Sequence, residues 1–303
     1  MGAVIRSLRP DRSLRLDGPI ATITAGWQER EADDGELSAQ LGEYDANLGL
    51  YRRWLDVQDR DPEYALGERL LQEVLAELQD TYLLRLDYAL RAVYALQRRD
   101  RGGQLQADAV AQAVAAAREL DAAHLRQVNE VRGEFFQRLP PHERSVIAEH
   151  RTVVADLVGK AAALVIAGGH VGVLAHVLHL FNLAAALPSR TAGSLVIAWS
   201  AGAMALADRI VLFHDRSPHG PGHPEIYGSG LSVVRDVVVL PHAGARLLLD
   251  DTPRMAVFSR RFAPARCILL ENGTRVEVGG DGSCPPGTRV LADDGHVIIL
   301  EAA

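Results

Sequence analysis

Lysine is almost missing from this chain of 303 residues: Lys160 is the only one, and arginine supplies the rest of the 32 basic Lys and Arg side chains. That skew reads as a coding bias and carries no functional weight. A surplus of positive charge is also lacking. The formal net charge is −7 and the pI about 5.9, so no basic surface is expected and nucleic acid is excluded as a partner. Cysteine is scarce. Cys267 and Cys284 are too few for a disulfide framework, and a reducing cytoplasmic location is expected. No apolar run approaches the roughly 20 residues of a membrane span, and no apolar segment follows the arginines at 6, 9, 12 and 15. Neither a membrane nor an export signal is expected, and residues 1–18 read as a polar arm. What is present is a hydrophobic content of 48%, ordinary for a globular protein with a core.

Residues 19–303 read as a single α/β domain. Ile20 to Ala25 is a short β-rich run closed by Gly26, and a short helix follows from Asp33. Residues 47–54 lean toward strand, because Leu48, Leu50 and Arg52 alternate with other types. From 63 to 99 the pattern changes. Leu66, Leu70, Val74, Leu78, Tyr82, Leu86 and Leu90 recur at spacing four, with Leu71, Leu75 and Val93 widening the stripe. Asp100-Arg101-Gly102-Gly103 breaks this helix, and a second runs to about Leu139, where Pro140-Pro141 stops it. Residues 63–139 are therefore expected to form a helical hairpin insertion that buries its apolar faces helix on helix. A third helix spans 142–162 and a fourth 171–187. Apolar runs at 163–167, 195–199, 236–240 and 266–270 read as buried strands. The tail carries β-runs at Thr274–Val278, Thr288–Leu291 and His296–Leu300, with Asp293-Asp294-Gly295 as a hairpin turn. Strands alternating with helices imply an α/β fold with a doubly wound, mostly parallel sheet, whose sites sit at the carboxyl ends of the strands.

Ser200 is the most informative residue. It follows Leu195-Val196-Ile197-Ala198-Trp199 and precedes Ala201-Gly202-Ala203-Met204, which is strand, small-residue turn and helix former. The arrangement is a nucleophile elbow of the form Ala-x-Ser-x-Gly. It would lift a hydroxyl clear of the backbone at a helix N-terminus, where free N–H groups stabilise an oxyanion. A serine nucleophile needs a base, and the base an orienting acid. His242 ends the run Val237 to Pro241, and Glu271 ends Cys267 to Leu270. Gly168-Gly169 ends the 163–167 strand, where the missing side chains admit a substrate carbonyl. The Ala201 amide is the expected first oxyanion donor and the glycine pair the second.

These residues resemble the S51 peptidases, the dipeptidase E and cyanophycinase family, within the class I glutamine amidotransferase-like fold. The resemblance covers roughly residues 160–280. It is carried by Gly168-Gly169, by Ala198-Trp199-Ser200-Ala201-Gly202-Ala203, by Pro241-His242 and by Leu269-Leu270-Glu271-Asn272-Gly273-Thr274. It implies a serine hydrolase cleaving short peptides, often with aspartyl residues, with Ser200 as nucleophile, His242 as base and Glu271 as orienting acid. It implies no metal and no organic cofactor. The expected partner is a small peptide, and a homodimer is admitted. The chain departs from the family where His170 replaces the usual polar Asn or Gln after the glycine pair, and His170 is taken as a substrate-binding position. The insertion at 63–139 is the second departure.

Other readings stay open at this level. Asp215, Glu225, Asp250 or Asp251 are alternative acids, and an acid before the histidine would fit an α/β-hydrolase esterase. Residues 213–227 read as a loop over the mouth of the site. Its His214, Asp215, His219 and His223 match no metal-site spacing. Arg246 and Arg254 read as ion-paired arginines or as grips for a substrate carboxylate. His176 and His179 read as solvated or packing residues. A catalytically silent scaffold, binding a partner through the helical insertion, is the alternative to an enzyme.

Overall fold

The computed structural model describes residues 19–41, 45–99, 103–187, 195–216 and 222–302. The expected polar arm at 1–18 and most of the break at 100–103 lie outside the described residues. The chain divides into two compact units, one of residues 1–68 and 135–206 and the other of 69–134 and 207–303. The fold is mixed α/β with a long helical region.

The first unit is built on a four-stranded sheet in the order β2-β1-β3-β4. Its strands are β1 (Ile20–Ile23), β2 (Asp45–Asn47), β3 (Ala163–Ile166) and β4 (Leu195–Ala198), and every pairing is parallel. β1 and β3 are buried throughout, as their unbroken apolar runs require when both faces are covered. Ile20, Ala163 and Val165 share a core with Leu37 and Leu41 of helix α1 (Gly35–Leu41), and Trp27, Leu195, Ile197 and Trp199 pack against it.

Residues 47–54 are not a strand. Helix α2 (Leu50–Arg60) begins there, after Gly49 at φ +59°. The buried Glu31 carboxylate decides this. Its two oxygens accept from the Tyr51 and Arg52 amides, each at 2.9 Å, so free donors of the first helical turn are satisfied by a residue twenty positions away in sequence.

Two long helices follow, α3 (Pro62–Gln97) and α4 (Gln104–Arg138). Within the first unit Tyr64 packs on Phe135, ring centroids 5.4 Å apart. Within the second, Tyr82 pairs with Asp121 and Gln79 with His124. The two numbers in each pair sum to nearly the same value, as antiparallel helices require. The spacing-four stripe is half wrong, however. Leu66, Leu70 and Val74 are exposed, while Tyr64, Glu68, Leu71 and Leu75 are buried. A strict period of four drifts about 40° per step against a helix of 3.6 residues per turn. The buried face mixes steps of three and four instead.

Helix α5 (Ser145–Lys160) buries Val146, Ile147, His150, Val154 and Val158. The expected 171–187 helix is broken: α6 (Val171–Leu180) ends at Phe181, Asn182 sits at φ +53°, and α7 (Leu183–Ala186) restarts. Helix α8 (Ala201–Leu206) follows β4.

The second unit holds a hairpin of β5 (Arg209–Leu212) and β6 (Glu225–Ser229). The expected 213–227 loop is therefore shorter, because β6 claims its last residues. A four-stranded sheet runs in the order β10-β9-β8-β7. β7 (Val237–Pro241) and β8 (Arg266–Leu270) are parallel, while β9 (Arg289–Leu291) and β10 (Val297–Ile299) form an antiparallel hairpin around Gly295 at φ +86°. Thr274–Val278 is not a strand. Gly273 at φ +81° and the Thr274 amide, which donates to the Glu271 carbonyl at 3.0 Å, curl it into a turn. Helices α9 (Ala243–Arg246) and α10 (Thr252–Phe262) complete the unit. α10 escaped the sequence reading although Asp251 caps it and Pro253 stands in its first turn. No helix among the described residues is long and apolar enough to cross a membrane.

Candidate active site

In the first unit the carboxyl ends of β1, β3 and β4 bring Gly26, Gly168-Gly169 and Ser200 together. Ser200 lies between β4 and α8 at φ +52°, a left-handed conformation that a serine adopts only where the surrounding structure enforces it. The Ser200 carbonyl accepts from the Ala203 and Met204 amides, so the first turn of α8 springs directly from it. Gly202 allows this, since a Cβ there would stand 2.4 Å from the Ile166 carbonyl oxygen.

Gly168 is packed against the serine. A Cβ on Gly168 would lie 2.6 Å from Ser200 Cβ, 3.0 Å from Ser200 Oγ and 3.3 Å from the Ala201 amide nitrogen. Gly169 takes φ +118°, and a Cβ on it would collide with the Gly26 carbonyl oxygen at 2.2 Å. Only glycine satisfies both the angle and the contact. The Gly26 carbonyl instead accepts from the His170 amide at 2.7 Å, tying the first strand's end to the glycine loop. His170 is exposed and caps α6, its Nδ1 accepting from the Val173 amide at 3.2 Å. Ser200 is half-buried and Ala201 buried.

In the second unit, β7 and β8 end level with each other, Pro241 opposite Leu270. The His242 amide extends that ladder, donating to the Leu270 carbonyl at 2.7 Å. His242 then turns sharply at φ +57° into α9. Glu271 stands at the neighbouring strand end. Its Oε1 accepts from the Gly244 amide at 2.7 Å, two residues beyond His242. His242 and Glu271 thus sit on adjacent turns, with the carboxylate bonded to the backbone of α9.

The alternative acids divide. The Asp215 side chain is fully buried. It accepts from Arg254 Nη2 at 2.6 Å and from the Leu248 amide at 3.1 Å. Asp251 caps α10 by accepting from the Arg254 amide at 3.1 Å. Both therefore have structural partners. Burial raises the Glu225 carboxyl above its usual range, and Asp250 is exposed. Arg254 is the ion-paired arginine of the two readings offered for it, and the Arg246 guanidinium lies 6.0 Å from the Phe213 ring centroid. His219 lies outside the described residues, and among those described no three His, Cys, Asp or Glu residues group as a metal site would need.

Two buried polar clusters escaped the sequence reading. In the first unit Glu68 accepts from Trp54 Nε1 at 2.9 Å and from Gln58, and pairs with His176. His176 is thus the partner of a buried carboxylate, not a solvated residue. Burial pushes the Glu68 carboxyl upward, but His176, Trp54 and Gln58 outweigh it and hold the group below the usual carboxylate range. In the second unit Arg261 grips Asp121 through two bonds, Nε to Oδ2 at 2.5 Å and Nη2 to Oδ1 at 2.6 Å, and Tyr82 donates to Asp121 Oδ1 at 2.7 Å. Glu68 and Asp121 fall in step with the buried apolar positions of their helices, a phase that becomes readable for Glu68 only once the buried face of α3 is known.

The first unit thus sets a serine at a left-handed strand-to-helix turn against a glycine pair at the neighbouring parallel strand's end. The family model of Peptidase family S51 matches residues 122–283, more than half of the chain, and the chain belongs to that family. Membership supports a hydrolase of the peptidase class. No curated protein and no solved structure matches the chain.

Proposed function

We propose that the chain is a serine peptidase that cleaves an amide bond in a short peptide, aspartyl-containing peptides among the candidates. Ser200 Oγ attacks the amide carbonyl carbon, and His242 takes the hydroxyl proton. The C–N bond breaks, and His242 returns the proton to the leaving amine. Water then hydrolyses the acyl-enzyme with His242 as base. Glu271 orients the imidazole. The amides of Ala201 and of the Gly168-Gly169 loop receive the oxyanion, and His170 contacts the substrate. No metal or organic cofactor enters any step.

The observation that carries this reading is the Ser200 turn. Its left-handed backbone and the absence of a side chain at Gly168 give the serine what a nucleophile elbow needs. Family membership supports it independently. The doubly wound, class I glutamine amidotransferase-like arrangement belongs to the same proposal, as does one domain over 19–303 with 63–139 inserted. A cytoplasmic location is likewise part of it.

The test is covalent labelling by a fluorophosphonate probe. Wild type is expected to label, Ser200→Ala not at all, and His242→Ala far more slowly. A folded wild type that stays unlabelled, or a Ser200→Ala variant that labels equally, would overturn the assignment and favour a silent scaffold.

A further inference from the structure

Helix α3 carries two apolar faces. One is buried: Leu71, Leu75, Tyr82, Leu86, Leu90 and Val93. The other is displaced by about 140° around the axis and faces solvent. Leu70, Val74, Leu84 and Tyr88 are 53%, 45%, 61% and 65% exposed. With the exposed Glu77 and Thr81 between them, these residues form one line, 70, 74, 77, 81, 84 and 88, at spacings of four and three. That is an unbroken heptad seam about 27 Å long, and all of it lies in the second unit. Surface leucines scattered singly need no explanation, but four in register on one helix face do.

We propose that this seam is the interface of a homodimer in which α3 packs antiparallel against α3 of a second copy. The line is self-complementary about a two-fold axis level with Gln79. In that register Leu70 meets Tyr88 of the second copy, Val74 meets Leu84, and Glu77 meets Thr81. Each contact is repeated by symmetry, as an isologous interface requires. The two central polar layers then pair a carboxylate acceptor with a hydroxyl donor. A parallel pairing would set Glu77 against Glu77 at the centre of the seam, which is why the antiparallel arrangement is selected. At the end of the seam the Arg91 guanidinium lies 5.7 Å from the Tyr88 ring centroid and pairs with Asp87 at 2.8 Å, so that flank is already neutralised within its own chain. With the flanking Glu73, Asp80 and Arg85 the seam offers on the order of 600 Å² per copy, about 1,200 Å² for the pair. That is the lower end of stable interfaces.

Sedimentation velocity on the full chain tests this independently of any peptidase activity. Wild type is expected to sediment as a dimer, and Leu84→Glu as a monomer with an unchanged circular dichroism spectrum, its dissociation constant raised at least 100-fold. The register has its own test in a Cys284→Ser background. Val74→Cys combined with Leu84→Cys should cross-link two chains on mild oxidation, and Val74→Cys alone should not. A wild-type monomer at tens of micromolar overturns the proposal. So does a dimer untouched by Leu84→Glu, or a cross-link formed by Val74→Cys alone.

Discussion

Adding one methyl group at Gly168 is the sharpest test of the Ser200 turn. The φ of Gly168 lies outside the left-handed region, so alanine fits its backbone and the whole cost is contact. The new Cβ would stand 2.6 Å from Ser200 Cβ and 3.0 Å from Ser200 Oγ. Carbon atoms rest at about 3.5–4.0 Å, so the gap must open by about 1 Å. Gly168 has little room to retreat. Its carbonyl oxygen lies against Gly26, where a Cβ would come within 2.6 Å of it, and β3 is hydrogen-bonded between β1 and β4. Ser200 must therefore move, at a position whose backbone already sits at φ +52°. Overpacking of this kind costs about 1–3 kcal/mol of stability. A nucleophile displaced by about 1 Å loses roughly 100-fold in rate. The assay pairs fluorophosphonate labelling rate with urea unfolding for wild type, Gly168→Ala and the control Gly159→Ala. Nothing lies within 4 Å of a Cβ at Gly159, inside α5. That control should label normally and gain about 0.5–1 kcal/mol. A folded Gly168→Ala protein that labels within threefold of wild type would refute the close-approach argument.

Three further outcomes follow from other parts of the molecule. Asp121→Asn leaves Arg261, whose side chain is 1% exposed, without its bidentate partner. It should lower stability by about 3–5 kcal/mol in urea, Asp121→Leu with Arg261→Met should recover much of that loss, and a loss under about 1 kcal/mol for the single variant would contradict the network. The Arg144 guanidinium, with Nε 2.7 Å from Asp61 Oδ2, outweighs the opposing effect of burial and holds the Asp61 carboxyl below its usual range. The folded-state value is depressed, so this stabilisation is full above the ordinary carboxylate range and fades as pH falls below about 4. The gap in urea stability between wild type and Arg144→Met should shrink over that interval, and a gap constant from pH 7 to 3 would count against it. Finally, burial pushes the Cys267 thiol up to about 12, so iodoacetamide at pH 8 should modify it only after unfolding; rapid alkylation of the folded protein would be the contrary result.

The Ser200 turn was legible because its local signal is adjacent in sequence, an apolar strand before it and small residues after it, although the Gly168 and Ile166 backbone that presses on it comes from another strand. The strands at 163–166, 195–198, 237–241 and 266–270 were legible for the same reason, as short apolar runs with turn residues at their ends. The long helices announced their existence but not their inner face. Leucines lie on both sides of α3, and composition alone does not say which side is covered. The 47–54 segment failed because its helix is nucleated by Glu31, a partner outside any local window. Thr274–Val278 failed in the opposite sense: its residues suit a strand, but no strand among the described residues pairs with them and Gly273 turns the chain away.

The amino-acid sequence by itself determined the apolar strands at 163–166, 195–198, 237–241 and 266–270, the existence of the two long helices, the small-residue turn at Ser200, the glycine pair at 168–169 and the family. Each of these is written in the types and spacing of near neighbours, where covalent geometry and sterics act directly. Tertiary structure alone decided which face of α3 is buried, which acid serves which partner, and that Asp215, Glu68 and Asp121 are held by Arg254, His176 and Arg261. A buried charge persists only where a counter-charge or hydrogen-bond donor reaches it. In each of these pairs that partner lies far along the chain, and only folding brings it within bonding distance.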